Sequence, residues 1–459
     1  MAGVNGEKLK RLRAWVQNYE WGRSGAEAEV ARLLALNTGA EIEPNKPYAE
    51  FWMGTHESGP NVLVEEEGEE EEKEQQDVGL KEWIEKNPKV LGHKVLEKWG
   101  PDLPFLFKVS SFSPFFTLFL YLVMTTLVLV IPLNSDSSKV GKALSIQAHP
   151  DKELAEELHK MKPNLYKDAN HKPEMALAIT EFRALCGFIT LQELKEVLED
   201  VPEIVELVGT ASAKQVMDID ERGGDTADKA KTALRSVFTQ LMSASKEMTT
   251  KAISKLKSRL LLQSQLRSLT EKEELVLQLE KQYPGDIGVL SAFFFNYVKL
   301  KPGEALYLAA NEPHAYLSGD CVECMATSDN VVRAGLTPKH RDIQTLCTML
   351  TYNQGYPEIL SGLALSPYIT RYLPPFDEFE VDRCVLPKGS SVVFPAIPGP
   401  SIFLAFVGEG KMKTGCWEGI VTEGDVVFEP ANTELVITAT TSELQLYRAG
   451  INSRFFHGL

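Results

Sequence analysis

Two stretches of the sequence, PGEALYLAAN at Pro302–Asn311 and EGDVVFEPAN at Glu423–Asn432, repeat one pattern that decides the fold. In each copy a glycine precedes an asparagine by eight positions, and a largely apolar run lies between them. Such runs, bounded by turn residues, are typical of β-strands. Counting eleven positions from each glycine gives His314 in the first copy and Leu435 in the second. The repeat therefore predicts two related β units, of which only the first keeps a candidate metal ligand.

A second stretch, ALSIQAHPDKELAEELHKMKPNLYKDANHKPE, contains further residues that can bind a metal. Residues two apart on a strand point to the same face, so Gln147 and His149 are predicted to face one small volume. The four candidate metal ligands are Gln147, His149, Glu174 and His314. Two imidazoles, one carboxylate and one amide oxygen suit a zinc ion that keeps one position open. A Gln-x-His pair alone is more often solvated or hydrogen-bonded, but Pro150 and Pro313 stiffen the two segments.

Longer motifs carry a resemblance to a known family. They are QNYEWG and PYAEFWMGTH near the start, SIQAHPDKELA and DANHKPEMALA around the ligands, then LCGF, KQYPGDIG, LKPGEALYL and NEPHAYLSGDCVECMATSDNVVRAGLTPK. With these motifs in this order, the chain resembles the zinc-dependent phosphomannose isomerases. The resemblance implies reversible interconversion of mannose 6-phosphate and fructose 6-phosphate, which feeds GDP-mannose synthesis. It also implies one zinc ion per chain, bound by the four residues above.

The same resemblance implies roles for individual residues. The implied catalytic residues are Arg333, Glu323 and Lys172, and the implied substrate-binding residues are Ser145, Lys172, Glu50, Glu20 and Trp21. A guanidinium at Arg333 suits the negative charge of an enediolate in a water-poor cavity. Alternatively, Arg333 is an exposed arginine in a salt bridge, and Trp21 fills a core. Whether Glu323, Lys172 or a metal-bound water moves the proton stays open.

The order of patterns along the chain predicts its architecture. Thr190–Glu193 and Thr270–Glu273 are capping-box patterns, and amphipathic helical spacing fills the chain between them. We therefore predict a mainly β protein with an inserted α-helical domain and two cupin-like antiparallel β-barrels or sandwiches. The predicted segments are 1–150 and 284–345 for the catalytic cupin domain, 151–283 for the helical domain, and 346–459 for a degenerate C-terminal cupin domain.

Two stretches depart from the family pattern. Glu65 to Asp77 is almost entirely acidic, so like-charge repulsion predicts a solvated loop. Val109 to Ser135 contains no charge, and Phe115 to Leu133 has the length and apolarity of a membrane span. A span here would place neighbouring parts of one sheet on opposite sides of a bilayer. We therefore interpret residues 110–140 as an anomalous apolar insertion.

Composition is typical of a multidomain globular protein, with 459 residues and a formal net charge of −16. This acidity disfavours nucleic acid as a partner, because binding to phosphates needs basic clusters. Six scattered cysteines and a polar start without a secretory signal predict a reduced, cytoplasmic protein, which we expect to be a monomer. Cys321 and Cys324 are expected to be ordinary small residues, although a C-x-x-C pair also suits redox chemistry or structural zinc.

Alternative functions remain open at this point. A cupin of this kind can bind a sugar without catalysis, or the insertion can inactivate the enzyme or anchor it to a membrane. We expect a sugar phosphate as the partner and no functional membrane association.

Overall fold

The structure is a computed structural model that describes residues 8–64, 78–112, 142–220, 226–415 and 417–457. The acidic run at Glu65 to Asp77 and the apolar run at Phe115 to Leu133 lie outside these residues. The predictions made for both runs therefore stay predictions. Within the described ranges, no helix combines the length and apolarity needed to cross a bilayer.

The secondary structure divides into four successive groups. The first is β1 (Lys10–Arg13), β2 (Trp15–Gln17), β3 (Arg23–Ser24), α1 (Glu29–Thr38), β4 (Pro47–Tyr48), β5 (Glu50–Met53), β6 (Val62–Val64), α2 (Leu80–Lys86), α3 (His93–Trp99) and β7 (Phe105–Phe112). The second is β8 (Ile146–Ala148), α4 (Lys152–Met161), β9 (Glu174–Ala178) and β10 (Phe182–Phe188). The third is α5 (Leu191–Asp200), α6 (Pro202–Val208), α7 (Thr210–Met217), α8 (Thr226–Met242), α9 (Lys246–Gln263), α10 (Glu271–Gln282) and α11 (Ile287–Ser291).

The fourth group contains most of the strands. It is β11 (Phe295–Leu300), β12 (Ala305–Leu308), β13 (His314–Ala326), β14 (Val332–Gly335), α12 (Ile343–Met349), β15 (Ile359–Leu360), β16 (Leu363–Ala364), β17 (Ile369–Tyr372), β18 (Glu380–Pro387), β19 (Ser391–Phe394), β20 (Ser401–Val407), β21 (Glu409–Lys413), β22 (Glu418–Thr422), β23 (Val426–Glu429), β24 (Leu435–Ala439), β25 (Glu443–Gly450) and α13 (Ser453–His457).

The first sheet, which we call the front sheet, has 11 strands with the main order β15-β12-β9-β13-β7-β5-β2. Beside this path, β10 and β8 pair with β13, β11 pairs with β10, and β14 pairs with β8. Strand β7 begins with the apolar run that ends at Lys108, and all of its residues are buried. β7 continues to Phe112 in register with β13, so residues 110–112 of the predicted insertion belong to the front sheet. The limits of the insertion stay a prediction.

Two further sheets lie behind the front sheet. The middle sheet has 8 strands in the order β16-β17-β18-β25-β20-β23-β1-β6, and the back sheet has 4 in the order β19-β24-β21-β22. Alternate residues of β20 contact different cores: Ile402 and Leu404 join one apolar cluster, and Phe403 and Ala405 join another. The middle sheet is therefore covered on both faces, by the front sheet on one side and the back sheet on the other.

The predicted fold class is confirmed as mainly β with a helical insertion. Strand pairs are antiparallel, and the sheets are open rather than closed barrels, so the sandwich form of the prediction describes the structure. The barrel form is wrong because the middle sheet serves two separate cores and does not curl around one.

The inserted helices α5 to α11 lie between β10 and β11. Both predicted capping boxes are confirmed, at Thr190 with Glu193 and at Thr270 with Glu273. Strands β9 and β10 fall inside the predicted helical segment 151–283 but belong to the front sheet, and β1 and β6 belong to the middle sheet. The domain boundaries themselves stay a prediction.

The sequence repeat has a matching backbone. Gly303 and Gly424 have φ of 88° and 90°, and Asn311 and Asn432 both have φ of 62°. Positive φ favours glycine and is tolerated by asparagine, which explains why these residue types mark both copies. Eleven positions after each glycine, β13 begins at His314 and β24 at Leu435.

The C-x-x-C pair lies in β13 and points to two different cores. Cys321 packs in a cluster with Tyr316, whereas Cys324 packs in another cluster with Val322. This placement supports their interpretation as ordinary buried residues.

Candidate metal centre and active site

Three of the four predicted metal ligands, His149, Glu174 and His314, form one buried cluster. Their potential ligand atoms lie within 4.8 Å of one another. The Glu174 carboxylate lies between the imidazoles, with Oε1 3.3 Å from His149 Nε2 and Oε2 3.6 Å from His314 Nε2. The ends of β8, β9 and β13 therefore bring together residues that are far apart in the sequence.

Backbone carbonyls fix how both imidazoles carry their protons. Nδ1 of His149 lies 2.6 Å from the Asn330 carbonyl oxygen, and Nδ1 of His314 lies 3.1 Å from that of Glu312. A carbonyl oxygen only accepts hydrogen bonds, so each Nδ1 donates, and each Nε2 presents a lone pair. Burial lowers the pKa of both histidines, that of His314 to about 4, so both stay neutral.

This arrangement fits a cation. Within the described chain, neither Nε2 atom has a hydrogen-bond partner, although both are buried. Two lone pairs and a carboxylate facing one another repel unless a positive charge lies between them. An outer hydrogen bond from the second ring nitrogen is also typical of histidines that bind metals.

Gln147, the fourth predicted ligand, lies in β8 beside the cluster. It pairs in register with His314 on one side and Arg333 on the other. Its Oε1 accepts a hydrogen bond of 3.3 Å from the Ser145 hydroxyl. The structure therefore places the predicted Gln147 and Ser145 together next to β13, while their roles stay predictions.

Lys172 contacts the cluster directly. Its Nζ lies 3.2 Å from Glu174 Oε1. Burial alone would raise the pKa of Glu174, but the positive charge of Lys172 opposes it, and that pKa lies well below its ordinary value. Glu174 is therefore ionised, as a metal ligand must be.

A second group, formed by Glu323, Lys108 and Glu50, lies on adjacent strands of the front sheet. Lys108 Nζ lies 3.0 Å from Glu323 Oε1 and 3.3 Å from Glu50 Oε1, and all three side chains are buried. Glu323 also accepts a hydrogen bond from Ser110, and Glu50 accepts one from Trp52 Nε1. The predicted residues Glu323 and Glu50 are thus linked through one lysine.

Sequence reasoning missed Lys108. The available signal was one charged residue at the end of the apolar run PFLFK, where a lysine is unusual unless it has a partner. Burial lowers the pKa of Lys108, but Glu323, Glu50 and Glu174 outweigh it and raise that pKa. Lys108 is therefore a fixed positive charge in the site.

The protonation of Glu323 is poised differently from that of Glu174. Burial is the main cause that raises the pKa of Glu323. The negative charges of Glu174 and Glu50 raise it further and Lys108 opposes them, so that this pKa is about 7. A carboxyl group with this pKa can both accept and return a proton near neutral pH.

An irregularity at Gly319 puts the metal cluster and the group around Glu323 on one face of the front sheet. Tyr316 and Cys321 pack in the same cluster although they are an odd number of positions apart on β13. Gly319 has φ of 105°, and a Cβ there would lie 2.4 Å from a carbonyl oxygen of the β9–β10 turn. Because glycine permits this bend, His314 and Glu323 face the same side of the sheet.

Arg333 lies in β14 beside Gln147 and is partly buried. Among the described residues it has no ion-pair or hydrogen-bond partner, and burial lowers its pKa. The alternative of an exposed, salt-bridged arginine therefore finds no support among the described residues. A partly buried guanidinium without an internal partner is suited to an anionic ligand.

Trp21 and Glu20 lie at the edge of the site. Trp21 stacks on Phe112 with 4.6 Å between ring centroids, and Phe112 contacts Tyr316, whose hydroxyl lies 3.4 Å from Glu174 Oε2. The packing alternative thus describes Trp21 well. Glu20 is exposed, and no described contact joins it to the metal cluster.

Comparisons with known proteins give this site its family. A model of the type I phosphomannose isomerase catalytic domain matches residues 9–116 and 131–191, and a model of the helical insertion domain of the same family matches residues 207–295. Mannose-6-phosphate isomerase 2 of Arabidopsis thaliana is 58% identical over 456 residues, which cover 99% of this chain and 96% of that one. The chain belongs to the type I phosphomannose isomerases.

Further phosphomannose isomerases resemble the chain at greater distance. The human mannose-6-phosphate isomerase is 39% identical, with 95% of this chain and 96% of the human protein covered. A crystal structure of a phosphomannose isomerase variant from Salmonella typhimurium has a TM-score of 0.76 at 25% identity, with 97% of this chain and 100% of that one covered. A mannose 6-phosphate isomerase structure bound with zinc and yttrium has a TM-score of 0.75 at 26% identity and the same coverage.

The match to the phosphomannose isomerase catalytic domain is interrupted between residues 116 and 131. This gap lies within the apolar run from Phe115 to Leu133 that the sequence singled out. The interruption is compatible with the predicted insertion, whose limits of 110–140 stay a prediction.

A cationic cleft, also missed from the sequence, lies between the helical region and β14 of this phosphomannose isomerase. It has a volume of about 540 Å³, and its charged lining residues are Lys142, Lys246, Asp286, Lys339 and Arg341. The Asp286 carboxylate accepts hydrogen bonds from the backbone N–H groups of Gly288 and Leu336. Arg341 donates to the Ala334 carbonyl, which connects the cleft to the residue after Arg333.

Proposed function

We propose that the chain is a zinc-dependent aldose–ketose isomerase that interconverts mannose 6-phosphate and fructose 6-phosphate. The observation that carries this proposal is the pair of unpartnered Nε2 lone pairs around an ionised carboxylate, next to a buried carboxyl group of pKa about 7. The first feature suits a metal ion and the second suits proton transfer.

Zinc would be bound by His149, Glu174 and His314, with Gln147 as the fourth ligand. When bound, zinc supplies positive charge that stabilises developing negative charge on the sugar oxygens. One zinc per chain is expected, since among the described residues His, Cys, Asp and Glu form one such cluster.

Proton transfer is assigned to Glu323. Isomerisation removes a proton from C2 of the aldose, passes through an enediolate, and returns a proton to C1. Lys108 orients Glu323 through their 3.0 Å ion pair and keeps a positive charge nearby. Lys172 is already paired with Glu174, so it is better suited to orient ligands and substrate than to act as a base.

Arg333 is assigned to the negative charge of the enediolate. Its guanidinium has no partner to release among the residues that the structure describes, so little reorganisation is needed before it binds the substrate anion. Ser145, Glu50 and the cationic cleft complete the substrate site in this proposal. Lys142, Lys246, Lys339 and Arg341 supply the charge that a sugar phosphate dianion requires.

The wider context follows from the same proposal. We infer a cytoplasmic, monomeric enzyme that supplies mannose 6-phosphate for GDP-mannose synthesis. Glu20 and Trp21 are assigned to the rim of the site, where they would contact substrate only at its edge.

The test compares the full chain with a variant that lacks Phe115 to Leu133 but keeps β7 complete to Phe112. Purified protein is assayed for zinc by atomic spectroscopy and for conversion of mannose 6-phosphate by coupled enzymes. We expect the shortened variant to bind zinc and isomerise. A folded, unchelated preparation with almost no zinc would contradict the ligand assignment.

The interrupted family match supports one alternative, namely that the apolar run inactivates the chain. Activity in the shortened variant alone would favour that alternative for the full chain. Equal solubility and activity of the two proteins would show that the apolar run is harmless.

A further inference from the structure

The loop between β13 and β14 has a direct contact with the metal centre. The Asn330 carbonyl in this loop accepts the 2.6 Å hydrogen bond from His149 Nδ1. Ser328 and Asn330 are 3% and 1% exposed, so the loop is packed into the protein rather than lying on its surface. The direction in which His149 presents Nε2 therefore depends on how firmly this loop is held.

Asp168, in the segment between α4 and β9, attaches to this loop at three consecutive positions. Its Oδ1 accepts hydrogen bonds from the Ser328 hydroxyl at 2.8 Å and from Asn330 Nδ2 at 3.2 Å. Its Oδ2 accepts one from the Asp329 backbone N–H at 2.7 Å. The Asn170 backbone N–H also donates to Oδ1 at 2.9 Å. The carboxylate therefore binds four donors and makes no ion pair among the described residues.

Further hydrogen bonds join the same two loops, with donors in the Ser328–Asn330 loop and at Asn170. Asn330 Nδ2 donates to the backbone oxygens of Asp168 and Asn170, at 2.8 and 2.9 Å. The Asn330 N–H donates to Ser328 Oγ at 3.1 Å, and Asn170 Nδ2 donates to the Thr327 carbonyl at 2.9 Å. Two loops that both lead to the metal centre are thereby fixed to each other.

We propose that Asp168 is a positioning residue of the metal centre, which acts on His149 through the Ser328–Asn330 loop. This inference rests on the proposed metal site. Asp168 has no described contact with His149, Glu174 or His314. Its effect reaches the cluster because the oxygen that fixes the His149 tautomer belongs to the residue whose side chain Asp168 binds.

A carboxylate is required at this position because both oxygens accept from donors. In Asp168→Asn the new NH₂ group must face either Asp329 N–H or the donors at Oδ1. One or more hydrogen bonds are lost in both orientations, although the side chain keeps its shape. The variant therefore loosens the loop without creating a cavity.

The test measures zinc affinity by competition with a chelator, together with kcat and KM at saturating zinc. Loss of a partner bonded directly to a ligand typically weakens metal binding about 10–100-fold. Because Asp168 acts one residue further away, we expect Asp168→Asn to bind zinc up to about 10-fold more weakly. Excess zinc should restore most of kcat. Ser328→Ala, which removes one of the four donors, should weaken binding less.

The matched control is Asp342→Asn. Asp342 also accepts several hydrogen bonds, including those from Tyr166 and the Thr345 backbone, but it has no described contact with the Ser328–Asn330 loop. Unchanged zinc affinity in both Asp168→Asn and Ser328→Ala, or an equal loss in Asp342→Asn, would overturn the inference.

A direct ligand variant separates this inference from the proposed function. If the unaltered chain binds zinc and His149→Ala does not, the metal site stands whatever Asp168 does. If the unaltered chain fails to bind zinc, the proposed function itself fails. Should Asp168→Asn not fold, Ser328→Ala and Asn330→Ser supply the same measurement.

Discussion

The two copies of the repeat share a backbone but differ in what they bury. Both have the positive-φ glycine and asparagine, and both lead into a strand eleven positions after the glycine. The first copy delivers His314 to a carboxylate, whereas the second delivers Leu435 to an apolar core. A shared fold therefore says nothing about chemistry until the side chain at this one position is known.

The surrounding buried charges differ in a second way. In the middle sheet, Arg448 and Arg371 bind Glu380 and Asp382 at distances from 2.7 to 3.2 Å. None of these four side chains keeps an unpartnered buried atom in the described chain, whereas both histidines of the metal centre do. Burial of charge alone is thus a weak mark of function. Glu429 and Asp320 also keep an unpartnered buried oxygen among the described residues, so the distinguishing feature of the metal centre is that two imidazole nitrogens and a carboxylate converge on one point.

The largest expected effect comes from making the first copy resemble the second. His314→Ala should abolish zinc binding and activity, because it removes a ligand rather than an outer partner. Leu435→Ala should keep zinc but lower the free energy of unfolding by about 2–5 kcal/mol, as buried leucines do when truncated. Zinc content and denaturant unfolding measure both. Zinc loss in Leu435→Ala would remove the distinction between the two copies.

The next largest effect distinguishes Arg333, which has no ion-pair partner among the described residues, from Arg448, which has two. Arg333→Ala should lower kcat by about 10²–10³, as loss of a donor to a developing anion does, with zinc content unchanged. Arg448→Ala should instead lower stability by about 3 kcal/mol, because the buried carboxylates of Glu380 and Asp382 lose one of their two arginine partners and keep only Arg371. A rise in KM alone for Arg333→Ala would make it a phosphate contact and not a catalytic residue.

A smaller effect concerns pH. The pKa of Glu323 is raised to about 7, and the ionised form is the base, so kcat/KM should fall as the pH decreases through that value. Bound zinc favours the ionised carboxylate, which moves this acidic limb to lower pH. Glu323→Gln should remove the limb along with most of the activity. An unchanged limb in Glu323→Gln would transfer the role of base to another group.

The smallest effect is expected at a contact between the segments that lead into the front sheet and the middle sheet. His171 is next to Lys172, and Glu378 precedes β18 of the middle sheet. The distance between His171 Nε2 and Glu378 Oε1 is 2.7 Å. Burial raises the pKa of Glu378, but His171 outweighs it and lowers that pKa below its ordinary value. The resulting stability is present above the unfolded-state pKa and is lost as the pH falls through the folded-state value.

Glu378→Gln should therefore lower the free energy of unfolding by about 1 kcal/mol at neutral pH and by less in acid. Glu358→Gln is the control, because Glu358 is exposed and binds only the Tyr307 hydroxyl among its described hydrogen bonds. Equal losses at both positions, or a loss independent of pH, would argue against a specific contact between the regions.

Much of the site could be predicted because it is written in local motifs. The Gln147-x-His149 spacing, the HKPE motif and the repeat ending at His314 each indicate a candidate ligand without knowledge of the fold, and the structure brings His149, Glu174 and His314 together. Lys108 could not be predicted, since its role depends on Glu50 and Glu323 from other strands. The bend at Gly319 was equally hidden, because a single glycine in a strand does not reveal which face its neighbours take.

The architecture was predictable only at the level of classes. Alternation and capping boxes marked strands and helices, but pairing between distant strands leaves no local pattern. The assignment of β1 and β6 to the middle sheet, and of β9 and β10 to the front sheet, depends on contacts across hundreds of residues. The hydrogen bonds between Asp168 and the Ser328–Asn330 loop could not be predicted for the same reason.

The pairing of β1 with β23 has a consequence for synthesis on the ribosome. Arg11 and Asp425, which form an ion pair at this join, are 414 residues apart in the sequence. β1 is made long before β23, so the edge of β1 that faces β23 stays unpaired during the synthesis of the residues between them. Pairing at such separation is slow and leaves apolar surface exposed meanwhile. During translation β1 can pair early with β6 on one edge, whereas its other edge stays open until β23 appears.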